Sequence, residues 1–199
     1  TLLVDMSGSM SSYRKISVAN ECVIALSECL EGTGIKYRVV GFNNLRGLGY
    51  GGIEGLKTKF HNHDPLDTFV FKDFNDNLRS AIPMLGTLDH FPLGDNSDYD
   101  FVANELTILK DRKETRKVLI TLSDGHPAHH GDSNRTEIVK LMKAMLIRNK
   151  KKHKIESIGI GIKSNAVEEI YPDSVVVNDV QELAGSMFNK LTQLLVKGK

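Results

Sequence analysis

The sequence predicts an α/β fold in which a mostly parallel sheet is covered by helices on both faces. Along the chain, apolar runs typical of buried strands alternate with segments whose apolar residues recur at the helical period. Because parallel strands need long crossover connections, this alternation predicts a three-layer α/β/α sandwich. Two of the most apolar runs, LLVD and RKVLITLSD, each end in an aspartate. A parallel sheet places both aspartates at its carboxyl edge, where such folds bind ligands.

The first half of the chain predicts two inner strands, an edge strand and two helices. Gly32 and Gly34 are expected to stop the first helix, and β-branched and aromatic residues indicate the strand after it. The DTFVFKDF segment predicts one antiparallel edge strand, and Pro83 is expected to end the helix that follows. In order, the elements are strand Leu2–Val4, helix Ser12–Glu31, strand Ile35–Phe42, edge strand Asp67–Phe74 and helix Asn75–Leu85. The Gly-rich, aperiodic stretch around residues 43–66, which includes RGLGYGG, predicts a long loop or insertion.

The second half alternates more regularly, which supports the parallel sheet. Its predicted elements are helix Asn96–Asp111, strand Arg116–Gly125, helix Arg135–Asn149, strand Lys154–Ile162, a short helix Ala166–Ile170, strand Asp173–Asn178 and helix Val180–Val196. The basic run RNKKKHK at Arg148–Lys154 is interpreted as a solvated helix end, where cations complement the helix dipole.

Composition limits the classes of partner. The 26 Lys and Arg residues balance 25 Asp and Glu residues, so no global field steers the protein to nucleic acid or a membrane. We expect a single domain over residues 1–199, cut from a longer chain, in a cytoplasmic protein without a signal peptide or a membrane span. Cys22 and Cys29 lie seven apart in a predicted helix, about 10 Å along its axis, and are expected to be two buried thiols.

The two strand-end aspartates and the nearby hydroxyls suggest a metal site. Ser7 and Ser9 follow Asp5 in a tight turn around Gly8, and Asp124 ends the second apolar strand. Carboxylate and hydroxyl oxygens suit Mg²⁺, Mn²⁺ or Ca²⁺ better than zinc. The sequence therefore predicts a divalent cation bound where the two strands end.

Other interpretations of these residues are weaker. Asp5 and Asp124 can also be ordinary turn formers or helix caps. A phosphotransferase nucleophile of the haloacid dehalogenase type needs a second Asp two residues on, where this chain has Ser7. SGSM is not the Gly-x-Ser-x-Gly elbow of a serine hydrolase. The pairs His61/His63 and His129/His130 are expected in surface loops, and His126 is a candidate contact for a bound partner.

DMSGSM resembles the Asp-x-Ser-x-Ser signature of von Willebrand factor A (VWA) domains, which are Rossmann-like sandwiches. In that family the signature opens a metal-ion-dependent adhesion site (MIDAS), which a second loop and an Asp of a third loop complete. The resemblance assigns Asp5, Ser7 and Ser9 to the first loop and Asp124 to the third. The usual Gly-Gly-Thr of the second loop is absent before the helix predicted at Asn96–Asp111.

The second loop is similar instead to that of a narrower family, the CobT subunit of cobalt chelatase. DNSDYDFVANEL resembles its Asn-x-Asp-Gly-Glu loop, with Tyr99 in the place of the Gly. The resemblance implies Asn96 and Asp98 as second-loop ligands and leaves Ser97 open as a third candidate. LITLSDGHP, IESIGIGI and VNDVQELAGSMFNKLTQLL resemble further segments of that family, and the likeness thins between Asn43 and His90.

The resemblance implies an adaptor, a non-catalytic subunit of an ATP-dependent cobalt chelatase. Such a subunit assembles with an AAA+ ATPase (CobS-like) and a large subunit (CobN-like) that inserts cobalt into a corrin ring for cobalamin biosynthesis. ATP then enters only through the partner, and a partner Asp or Glu completes the metal site. Two alternatives remain: a VWA adaptor of another MoxR-type AAA+ system that activates a different metalloenzyme, and an adhesion-type VWA domain.

Overall fold

The structure, a computed structural model, describes residues 1–44, 66–90, 94–128 and 134–182. Its strands and α-helices are β1 (Leu2–Asp5), α1 (Lys15–Leu30), β2 (Val39–Asn44), β3 (Leu66–Lys72), α2 (Leu78–Leu85), α3 (Asp98–Asp111), β4 (Lys117–Ser123), α4 (Arg135–His153), β5 (Ile155–Ile162) and β6 (Asp173–Val177). Short 3₁₀ helices lie at Gly8–Arg14, Leu88–His90 and Ala166–Glu169. The described residues leave out most of the predicted loop around 43–66 and most of the last predicted helix. They also leave out His61, His63, His129 and His130.

The sheet confirms the predicted fold class. Its strand order is β3-β2-β1-β4-β5-β6, and every neighbouring pair is parallel except β2 and β3. The edge strand is therefore antiparallel, as predicted. The strand order runs outward in both directions from β1 and β4, so a crevice forms between the carboxyl ends of these two strands.

The two faces of the sheet carry separate hydrophobic clusters. Leu2 and Val4 of β1 point to the side covered by α1 and α2, and Leu3 points to the side covered by α3 and α4. β1 is buried along its whole length because it pairs on both edges and is covered on both faces. The core thus fixes the position at which Asp5 leaves the sheet. No helix in the described ranges has the length and apolar character needed to cross a membrane.

The first helix begins three residues later than predicted. Tyr13 and Arg14 have φ of 54° and 58°, a left-handed conformation that non-glycine residues rarely adopt, so α1 begins at Lys15 rather than Ser12. Lys163, which itself has a positive φ, donates a hydrogen bond of 2.9 Å from Nζ to the Tyr13 carbonyl oxygen. This turn has no glycine to mark it in the sequence.

Other boundaries differ by a few residues. β2 begins at Val39 instead of Ile35, because residues 31–36 are exposed, and it continues to Asn44 through its pairing with β3. α4 continues past Asn149 to His153, which makes the basic run its last turn, as predicted.

The prediction of two buried thiols is wrong for one cysteine. Cys22 is buried against the sheet, whereas Cys29 is exposed. Cys29 lies in the last turn of α1, next to the exposed residues 31–36, so nothing in the described part of the chain covers it.

Pro83 does not end its helix, contrary to the prediction. It lies inside α2, which continues to Leu85, while Asn77 caps the start by accepting a hydrogen bond of 2.9 Å from the backbone nitrogen of Ser80. The helix tolerates the proline because Leu78, Ala81 and Leu85 bury its other face.

Replacing this proline is expected to stabilise the fold. Pro83→Ala restores a backbone donor and removes the clash of the ring with the preceding turn, which together exceed the entropy that the proline removes from the unfolded chain. We expect the free energy of unfolding to rise by about 1 kcal/mol, measured by urea denaturation. A decrease would contradict this account.

Candidate metal site

Asp5 is fixed by both of its carboxylate oxygens. It is the last residue of β1 and is fully buried. Its Oδ1 accepts a hydrogen bond of 2.8 Å from the backbone nitrogen of Ser7, and its Oδ2 accepts one of 2.7 Å from Ser123 Oγ. The first contact closes the turn after β1, and the second ties Asp5 to the neighbouring strand β4.

A chain of hydroxyl groups joins the first loop to Asp124. Ser7 Oγ lies 3.0 Å from Ser9 Oγ, which donates a hydrogen bond of 2.8 Å to Asp124 Oδ1. The other oxygen of Asp124, Oδ2, lies 2.5 Å from the ammonium group of Lys15. Ser9 and Asp124 therefore meet although they come from different loops, at the carboxyl edge of adjacent strands.

The second loop is held beside the first by the end of β2. Asn44 donates from Nδ2 to Ser97 Oγ at 2.7 Å and accepts at Oδ1 from the Ser97 backbone nitrogen at 2.9 Å. The backbone nitrogen of Gly8 donates to the Gly94 carbonyl oxygen at 3.0 Å. These contacts bring residues 94–98 to the same edge as Asp5.

Asn96 and Asp98 face this edge from the second loop. Asn96 donates from Nδ2 to Asp98 Oδ2 at 2.8 Å and to the His126 carbonyl oxygen at 3.1 Å. Asp98, the first residue of α3, is only 3% exposed. The structure thus brings all six sequence-predicted ligands together: Asp5, Ser7, Ser9, Asn96, Asp98 and Asp124.

Burial is the main cause of the raised pKa values of Asp5 and Asp98. Burial, and to a smaller extent the charge of Asp124, raises the pKa of Asp5 from 3.8 to about 6. Burial and then the charge of Asp5 raise the pKa of Asp98 well above its usual value. Within the described residues, the ion pair that reaches these three aspartates is Lys15–Asp124. Three carboxyl groups therefore share one side-chain cation among the described residues.

Two glycines of the IGIGI strand leave room for residues that pack closely against β5. A Cβ atom at Gly159 would lie 2.5 Å from Cδ2 of Tyr171, and one at Gly161 would lie 1.9 Å from the Ser164 carbonyl oxygen. Tyr171 is buried, and the pKa of its hydroxyl is raised by burial and then by the charge of Asp98. The tyrosine therefore lies within electrostatic reach of the candidate ligands.

The donor set suits a hard divalent cation. It consists of carboxylate, hydroxyl and amide oxygens, the ligands that Mg²⁺ and Ca²⁺ prefer. In the part of the chain that the structure describes, no three His, Cys, Asp or Glu side chains are grouped to hold a metal by themselves. The candidate donor set also includes the hydroxyls of Ser7 and Ser9, which are not typical zinc ligands.

Three contacts at the site were not predicted. Ser123 hydrogen-bonds Asp5, Lys15 pairs with Asp124, and Asn44 orders the second loop. Ser123 and Asn44 end their strands at the same edge as the aspartates, which is a signal that sequence reasoning can use. Lys15 lies at a helix start and carries no such signal.

His126 lies on the rim beside Asp124. Its Nε2 is 3.3 Å from Glu169 Oε2 and also contacts Arg135 Nη2, while Arg135 lies 3.4 Å from the same Glu169 oxygen. The imidazole is therefore engaged by neighbours on α4 and the 3₁₀ helix at Ala166–Glu169. Its contact with a partner stays a prediction.

Comparison with solved structures defines the class of fold. The vWF domain of the type V pili tip protein Mfa5 from Porphyromonas gingivalis has a TM-score of 0.61 and 9% identity, covering 100% of this chain and 95% of that one. The SpRpn10 VWA domain has a TM-score of 0.52 and 12% identity, covering 92% of this chain and 91% of that one. The pilus adhesin SpaC from Lactobacillus rhamnosus GG has a TM-score of 0.64 and 13% identity, covering 97% of this chain and 30% of the adhesin. The fold is that of a VWA domain.

The family is defined more narrowly by sequence. Residues 1–197 match the family described as the VWA domain of the cobalamin biosynthesis protein CobT. The chain belongs to this family of CobT VWA domains. The match includes the loops that carry Asp5, Asn96, Asp98 and Asp124.

Proposed function

We propose that this domain is a metal-dependent interaction module of a CobT-like cobalt chelatase. The observation that carries the proposal is the hydroxyl chain from Ser7 through Ser9 to Asp124, beside the buried Asp5, in a chain of the CobT family. The proposed ligands of Mg²⁺, or of Mn²⁺ or Ca²⁺, are Asp5, Ser7, Ser9, Asn96, Asp98 and Asp124.

Each part of the site has a distinct task in this proposal. Ser123 and the Ser7 backbone nitrogen hold Asp5 in one orientation. Asn96 orients Asp98, so that the second loop faces the first. A bound divalent cation supplies an open coordination position that an Asp or Glu carboxylate of a partner can occupy. Exposed Ser9 stands at the rim, where an approaching carboxylate arrives.

The proposed partners follow from the family. The domain links a CobS-like AAA+ ATPase to the CobN-like large subunit, which inserts cobalt into the corrin ring during cobalamin biosynthesis. The domain holds no ATP itself and performs no chemical step. Its contribution is to assemble the complex through the metal site, in the cytoplasm.

Metal-dependent capture of the ATPase is the test. The 199-residue chain, immobilised, is expected to retain the CobS-like subunit in Mg²⁺ and to lose it in EDTA. Asp5→Asn is expected to reduce capture in Mg²⁺ at least about tenfold, since it removes a charged ligand while keeping the shape of the side chain. Asp111→Asn, an exposed aspartate at the far end of α3, is the matched control and should behave as wild type.

Different results lead to different conclusions. Capture that is equal in Mg²⁺, in EDTA and with Asp5→Asn would place the interface away from the metal site. Metal-dependent capture of another MoxR-type ATPase, with no capture of the CobS-like subunit, would keep the adaptor role and exclude the chelatase as client.

A further inference from the structure

Lys15 makes the closest ionic contact at the candidate metal site. Its ammonium group lies 2.5 Å from Asp124 Oδ2, and the two side chains are 19% and 1% exposed. Asp124 Oδ1 is already engaged by Ser9. Both oxygens of the third-loop aspartate are thus occupied by groups of the chain itself.

The position of Lys15 is electrostatically unfavourable for its helix. It is the first residue of α1, whose first turn holds no acidic residue, and the positive end of the helix dipole repels a cation there. Two consecutive left-handed residues, Tyr13 and Arg14, precede it and set the direction in which α1 starts. Lys15 therefore lies where the helix dipole disfavours a cation, and its ion pair there is with Asp124.

We infer that Lys15 is a built-in counter-ion that holds Asp124 in place in the metal-free domain and weakens the affinity of the site for a divalent cation. The inference rests on the metal site of the proposed function, not on any partner. A bound divalent cation and the ammonium group would draw on the same carboxylate and repel each other. Release of Lys15 from Asp124 is then part of metal binding.

The inference predicts opposite effects of one substitution on two measurable quantities. Lys15→Met keeps most of the side-chain length and removes the charge. Without metal, Asp124 in this variant is buried and lacks the ammonium group that pairs with it in wild type. The melting temperature of the variant in EDTA should therefore be lower than that of wild type. With metal, the repulsion is gone, so we expect binding to be about tenfold tighter or more.

The experiment is a Mn²⁺ titration, followed by calorimetry or electron paramagnetic resonance, with thermal unfolding in EDTA and in Mn²⁺. Arg14→Met is the matched control, because it removes a neighbouring positive charge that pairs with Glu21 and does not contact Asp124. The control should bind Mn²⁺ as wild type does. Asp5→Asn should abolish the signal in wild type and in the Lys15→Met background, which assigns the bound Mn²⁺ to this site.

The outcomes separate this inference from the proposed function. A lower melting temperature of Lys15→Met with unchanged Mn²⁺ affinity would leave Lys15 a purely structural role and overturn the inference. Weaker Mn²⁺ binding would also overturn it, as would a failure of every variant to bind Mn²⁺. Tighter binding together with metal-independent capture of the ATPase would support the inference and contradict the proposed function.

Discussion

Asp5→Asn is expected to stabilise the metal-free domain and to remove its response to Mg²⁺. At pH 7 the wild-type carboxylate is ionised in a fully buried position, beside Asp98 and Asp124. The neutral amide avoids this cost, still accepts the hydrogen bond from the Ser7 backbone nitrogen, and can donate to Ser123 Oγ. A substitution in a candidate ligand should thus make the protein more stable in EDTA, which is unusual for a buried position.

The size of the effect follows from the pKa of Asp5. Burial raises that pKa from 3.8 to about 6, which corresponds to an upper limit of about 3 kcal/mol at pH 7. Adjustment of the hydrogen bonds reduces the gain, and we expect an increase of about 1–2 kcal/mol in the free energy of unfolding in EDTA. In Mg²⁺ we expect the order to reverse, because the proposed metal site would stabilise only the wild type, by about 2.7 kcal/mol at a hundredfold excess of Mg²⁺ over the dissociation constant.

The same pKa predicts how metal-free stability depends on pH. The folded state holds the Asp5 proton more tightly than the unfolded state does. Protonation of Asp5 therefore stabilises the metal-free fold; this contribution is complete below about pH 4 and is lost as the pH rises through about 6. Wild type should therefore lose stability across this interval, and Asp5→Asn should lose less. Because the pKa of Asp98 is also raised, Asp98 should preserve part of the pH dependence of the free energy of unfolding in both proteins.

Urea denaturation at pH 5 and pH 7, in EDTA and in Mg²⁺, checks these expectations. Asp111→Asn is again the matched control and should follow wild type in all four conditions. The account fails if Asp5→Asn is less stable than wild type in EDTA at pH 7, or if Mg²⁺ stabilises the variant as much as the wild type.

The strand-end aspartates could be predicted because their signal is local. Asp5 and Asp124 each end an apolar run, and in a parallel sheet the ends of such runs meet regardless of their separation along the chain. The second-loop residues Asn96 and Asp98 carry no such pattern, and only the resemblance to the CobT family indicated them. Their orientation depends on Asn44 and Gly94, which act through tertiary contacts.

The features that sequence analysis missed depend on contacts between distant segments. The left-handed turn at Tyr13 and Arg14 contains no glycine, and Lys163 contacts its backbone from 150 residues away. Pro83 stays inside α2 because tertiary packing outweighs local propensity. The helical spacing between Cys22 and Cys29 likewise does not reveal that Cys29 is exposed, beside the exposed residues 31–36.

Likeness to pilus proteins does not favour an adhesive function for this chain. Their identities of 9% and 13% show a shared fold alone, and this chain spans 30% of the length of the adhesin SpaC. The family match extends over residues 1–197 and is specific to CobT. The function is therefore better sought in the site and the family than in the fold.

Gly161→Ala is expected to destabilise the domain severely. Gly161 lies in β5 between Ser123 of β4 and Val176 of β6. A methyl group there would lie 1.9 Å from the Ser164 carbonyl oxygen, and a backbone atom cannot turn away as a side chain can. Either the turn after β5 or the strand itself must move, so we expect the free energy of unfolding to fall by about 3 kcal/mol or more.

Two other glycines make the test specific. Gly86→Ala adds the same methyl group 3.4 Å from the Ile82 carbonyl oxygen, at a helix end with φ of −63°, and should change stability by less than about 0.5 kcal/mol or slightly raise it. Gly159→Ala meets the buried ring of Tyr171 at 2.5 Å and Val167 Cβ at 2.9 Å, and should have an intermediate effect because these contacts are longer and involve side chains, not backbone atoms. Urea denaturation of the three variants should therefore rank Gly161→Ala as the least stable, then Gly159→Ala, then Gly86→Ala.

Movement of β5 in Gly161→Ala should also weaken Mn²⁺ binding, because Ser123 pairs with Gly161 and donates a hydrogen bond to Asp5. Equal Mn²⁺ affinity in a destabilised Gly161→Ala protein would show that β4 keeps its place without β5.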